Sequence, residues 1–107
     1  MLIDVTQTLK GYDGEPIMNG MPLQPLTLRE AAFTALNSVP EGENPPATIK
    51  EKIYALTLKL YSDAAIDLTI DEAAFLKERS GAVMAPLVHG RIVEILENAN
   101  QLTAIEP

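Results

Sequence analysis

Three threonine-led tetrapeptides constrain this chain more than any other feature: "TLRE" at 27–30, "TIKE" at 48–51 and "TIDE" at 69–72. Each sets a glutamate three residues after a threonine, ahead of an apolar segment. In such a capping box the threonine hydroxyl accepts a hydrogen bond from a first-turn N–H. The glutamate carboxylate reaches back to accept one from the threonine's own N–H. The three boxes predict helices over about 28–38, 49–61 and 70–80. A fourth is predicted from near Met84 to about Glu97, with Pro86 in its first turn, where a missing N–H costs nothing. "RSG" at 79–81 reads as the end of the third helix, with Gly81 as a left-handed cap. "VPEGENPPA" at 39–47 reads as a loop.

The residues before the first box follow a different rule. In "MLIDVTQTL", Ile3 and Val5 alternate with Asp4 and Thr6. "KGYDGEP" then supplies turn chemistry and "IMNGMPLQP" a short extended piece. The reading is a β-hairpin over about 2–20, its ladder ended by Pro22 and Pro25. "IDLT" at 66–69 shares the pattern of "IDVT" at 3–6, so a strand there is expected to pair with the hairpin. The expected fold is therefore one small α+β domain over 1–107. It has a short antiparallel sheet packed against about four helices at 28–98, with residues 99–107 as a frayed tail.

Composition fixes what fills the core and excludes several functions. The chain is 47% apolar, yet its only aromatics are Phe33, Phe75 and three tyrosines, so the core must be aliphatic. No apolar run approaches the ~20 residues needed to cross a bilayer. The N-terminus lacks the basic flank and apolar stretch of a signal peptide. No cysteine means no disulfide, thiolate metal site or thiol nucleophile. These features predict a cytoplasmic protein with no membrane contact. Fifteen acids against eight bases leave a charge of −7. Phosphate backbones are bound by Lys and Arg, so direct nucleic-acid binding is not expected.

No pattern points to catalysis, a cofactor or a metal. "YSDAAIDLTIDE" at 61–72 gathers Asp63, Asp67, Asp71 and Glu72. A calcium loop starting at Asp63 needs oxygen ligands at its third and twelfth positions and glycine at its sixth. Those positions hold Ala65, Ala74 and Leu68. The segment reads instead as a strand followed by a helix start, whose dipole favours acids. His89, the sole histidine, sits at the edge of an apolar arc of Met84, Ala85, Val88, Ile92, Ile95 and Leu96. It reads as a packing residue at the core boundary, and alone it leaves zinc short of ligands. Phosphate-binding glycine loops are absent, and Ser38 and Ser80 lie outside any GxSxG elbow. The expectation is a non-enzymatic chain.

The predicted helix 49–61 carries two apolar stripes. Ile49, Ile53, Leu56 and Leu60 form a core stripe. Roughly opposite lie Tyr54, Leu58 and Tyr61, with Lys52 and Lys59 on one flank. Either this helix is central and packed on two sides, or the second stripe meets another chain. Tyrosine, with apolar area and a polar tip, suits the latter.

Taken in order, "IDVTQTLKGYDGEPI", "PLTLREAAFTALN", "EKIYALTLKLY", "IDLTIDEAAFLKERSG" and "APLVHGRIVEILE" resemble small uncharacterised proteins encoded in tailed-phage and prophage genomes. The resemblance carries no catalytic signature and no site residues. It implies a context, a phage or prophage gene expressed in a bacterial host's cytoplasm. Within that context the 47% apolar fraction and the two-striped helix favour an accessory or assembly protein acting through protein–protein contacts, with a homo-oligomer as one form. The alternatives are a host-directed inhibitor whose acidic surface competes for a basic nucleic-acid groove, and a small enzyme or metal protein without a recognisable motif.

Overall fold

Ile3 and Ile66, the first residues of the two similar segments, lie opposite each other in an antiparallel ladder. A computed structural model describes residues 1–40 and 42–105, with side chains through Ala99. The elements are β1 (Leu2–Asp4), β2 (Met18–Asn19), β3 (Gln24–Pro25), α1 (Leu28–Asn37), α2 (Ala47–Leu60), β4 (Ala65–Asp67), α3 (Ile70–Val83) and α4 (Pro86–Ile105). The fold is α+β, with short antiparallel sheets packed with four helices. In β1–β4 the period of two turns Ile3 and Ile66 inward, leaving Leu2, Asp4, Ala65 and Asp67 exposed.

The expected 2–20 hairpin is divided. β1 pairs with β4, and β2 pairs with β3 in a second ladder of two strands. Between them a bridge from Lys10 to Pro16 closes the turn at Gly11–Gly14. Gly14 sits there at φ +84°, a conformation that disfavours any side chain with a Cβ. Pro25 does not end the second ladder but belongs to it, opposite Met18. A strand in a two-stranded ladder keeps one unpaired side, where proline's missing N–H goes unmissed.

Two of the three threonine boxes cap helices. At α3 the box is complete: Thr69 Oγ1 accepts from Glu72 N at 3.1 Å, and Glu72 Oε1 accepts from Thr69 N at 2.9 Å. At α1, Thr27 Oγ1 accepts from Glu30 N at 3.3 Å. Thr48 caps nothing, because α2 starts before it with Pro46 as the N-cap. The Pro45–Pro46 pair holds the chain extended (Pro46 φ −67°, ψ 163°). Pro46 O then accepts from Ile49 N and Lys50 N and opens the helix early.

The third helix passes through Gly81 to Val83 instead of capping there. A Cβ on Gly81 would stand 3.3 Å from His89 Cε1, so the glycine makes room for a side chain of α4. α4 continues past the expected end at Glu97 to Ile105. The stretch after Glu97 holds no glycine or proline before Pro107, and its alanines and leucine favour helix. The last two residues of the expected frayed tail lie outside the described residues.

α1 is the central helix, packing on α2, α3 and α4. Its buried side is Leu28, Ala31, Ala32, Ala35 and Leu36, and the small alanines let the neighbours approach closely. The core is aliphatic, joining these residues to Ile3, Val5, Leu9, Leu60, Leu68, Leu76, Ile92 and Leu96. α2 packs chiefly on α1 and buries only Ile53, Leu56 and Leu60.

Candidate functional site

One side of α2 is spent on the core, and its second stripe lies at the surface. Tyr54 is 67% exposed, Leu58 56% and Tyr61 52%. The central, doubly packed helix is α1, so the second apolar stripe of α2 is a surface. Two residues from neighbouring segments widen it: Phe33 on α1, 42% exposed, and Val39 beyond it, 54% exposed. The Phe33 and Tyr61 rings meet edge to face with centroids 6.1 Å apart. On the other flank, a groove of about 330 Å³ is lined by Leu36, Val39, Pro45, Ile53, Tyr54 and Thr57 among others.

Hydrogen bonds hold this face in place. Asn37 Nδ2 donates to Thr57 Oγ1 at 3.1 Å, tying the end of α1 to the middle of α2. Arg29 Nε donates to Leu60 O and its Nη2 to Asp63 O. Its guanidinium thereby stands 5.3 Å from the Tyr61 ring centroid, within cation–π range. The bond satisfies a carbonyl that the helix leaves open. Phe33 and Val39 were not legible as part of this face. Phe33 looked like any apolar residue of "REAAFTALN", and only the packing of the alanines beside it turns it outward.

The acids of 61–72 do not converge on a site. Asp63 Oδ1 accepts from Ala64 N, Asp67 Oδ1 from the Met1 ammonium, and Glu72 is used by its capping box and by Lys59. Among the described residues no group of three or more potential metal ligands occurs. No helix among them is long and apolar enough to cross a membrane.

The burial of two polar residues, Arg79 and Ser80, has no signal in the sequence. Ser80 is fully buried and its Oγ lies 2.7 Å from His89 Nδ1, and it also donates to Lys77 O. A serine beside a histidine invites comparison with a nucleophile and its base, but such chemistry needs a reachable hydroxyl and an oriented base. Ser80 Oγ has no open approach, and among the described residues no carboxylate bonds the His89 ring. The pair ties α3 to α4. Arg79, also buried, donates to Glu43 Oε1 at 2.6 Å and to Ser38 O at 3.0 Å. It thereby fastens the segment before α2 onto α3.

In comparisons with known proteins, no family model, no curated protein and no solved structure matches this chain.

Proposed function

We propose that this chain is a non-enzymatic interaction protein that engages a protein partner through the α1–α2 face. The supporting observation is the concentration there of Phe33, Val39, Tyr54, Leu58 and Tyr61, all substantially exposed. Scattered apolar residues on a surface need no explanation, whereas a contiguous patch of this kind marks contact sites. Its make-up fits as well. Interface cores are enriched in Tyr, Phe and Arg and depleted of acids, and Arg29 lies against Tyr61. The resemblance to phage-encoded proteins gives the reading its context, an accessory or assembly role in a bacterial cytoplasm.

The test is site-specific photo-crosslinking. A photoreactive residue replacing Tyr54 is expected to give a discrete adduct in cells, competed by unlabelled wild type but not by the Leu58→Asp variant. The same probe at Tyr12, exposed elsewhere, should give none. Equal labelling from both positions, or none from either, overturns the proposal.

A further inference from the structure

We infer that the partner covering the α1–α2 face is a second copy of this chain, in a twofold dimer whose axis crosses α2 between Thr57 and Leu58; this rests on reading the face as an interface. Area, charge and spacing carry it. An aromatic side chain presents roughly 150–250 Å², so the exposed parts of the five apolar residues amount to roughly 500 Å². A standard interface takes about 800 Å² from each partner, of which about 56–65% is apolar. The patch is the size of the apolar centre of one such contact.

Charge selects the occupant. Two copies of a chain carrying −7 repel unless they meet where the charge is locally balanced. Phe33, Asn37, Val39, Tyr54, Thr57, Leu58 and Tyr61 include no charged group, and the cations Lys50 and Arg29 stand beside Tyr54 and Tyr61. Exposed acids border it as well: Glu51 lies three residues before Tyr54 on α2, and Asp63 two residues after Tyr61. Each end of the stripe thus carries both signs, and antiparallel pairing brings Glu51 toward the partner's Arg29 and Lys50 toward the partner's Asp63.

Spacing supplies the self-complementarity that a twofold contact requires, in which residue i meets j and j meets i. With two α2 helices antiparallel about the proposed axis, Tyr54 meets the partner's Tyr61, and Thr57 meets the partner's Leu58. The groove beside Tyr54 then receives the partner's Tyr61 ring, so the α2 stripe is covered along its length.

The absence of cysteine makes the test clean, because any introduced thiol is the sole thiol. Near a twofold axis that thiol meets its own copy. Under mild oxidation Leu58→Cys is expected to convert to a covalent dimer, whereas Ile70→Cys, on a residue 73% exposed on α3, is not. In sedimentation equilibrium, Tyr54→Ala and Tyr61→Ala should each weaken association at least tenfold. Equal cross-linking at both positions, or a wild type that stays monomeric at millimolar concentration, overturns the dimer. If that monomer still gives the Tyr54 photo-adduct with a different protein, the interaction reading stands and the second copy alone is wrong. Loss of both ends both.

Discussion

A threonine three residues before a glutamate stabilises a helix only where the backbone ends at that threonine. Thr69 and Thr27 are N-caps whose hydroxyls accept first-turn N–H bonds, while Thr48 lies within the first turn of α2. Replacing an N-cap threonine by alanine costs about 1 kcal/mol. Thr69→Ala and Thr27→Ala are therefore expected to lower stability by about that much in urea denaturation. Thr48→Ala should stay within about 0.5 kcal/mol of wild type, as surface substitutions do. Glu72 adds a pH dependence. Burial raises its pKa, but bonds from Lys59 and from the Thr69 N–H, with the Lys59 charge, outweigh burial and leave it below the ordinary 4.5. A carboxyl depressed in the folded state contributes stability above its unfolded pKa and loses it as pH falls through the folded value. Stability should thus decline below about pH 4.5, and Glu72→Gln should flatten part of that acid limb.

At the scale of elements, α1 organises the molecule and the segment ahead of α2 is fastened to α3. Arg79→Met removes the bonds to Glu43 and Ser38. Losing such partly buried bonds costs about 1–3 kcal/mol, and amide exchange over residues 42–44 should quicken. Faster exchange spread evenly over the whole chain would show that Arg79 does not act on this segment. The two sides of α2 make the complementary contrast. Leu60→Ala, in the core, should cost about 2–5 kcal/mol, whereas Leu58→Asp, on the open face, should leave the melting temperature of the single chain nearly unchanged. Much of this architecture was legible in local patterns: the aliphatic core stripe of α2, the cap at Thr69 and the pairing of "IDVT" with "IDLT". What was not legible depended on contacts distant in sequence. Gly81 looked like a helix end because its reason, the His89 ring, arrives from another helix. The stripe of Tyr54, Leu58 and Tyr61 was visible, but periodicity alone does not say which helix is central. The alanines of α1 decide that, and with them the outward turn of Phe33.

For the whole molecule, a net charge of −7 opposes the meeting of two copies. Association through the α1–α2 face should therefore tighten or hold as salt screens that repulsion. The most direct test is molar mass by light scattering, over a range of concentration and salt, for wild type and Leu58→Asp, alongside their melting curves. The wild type is expected near twice the 11.6 kDa chain mass, with no loss at high salt, and the variant at the single-chain mass, folded, with the melting temperature the wild type shows on dilution to monomer. A wild type and variant of the same mass, or a variant that is unfolded, would contradict the account.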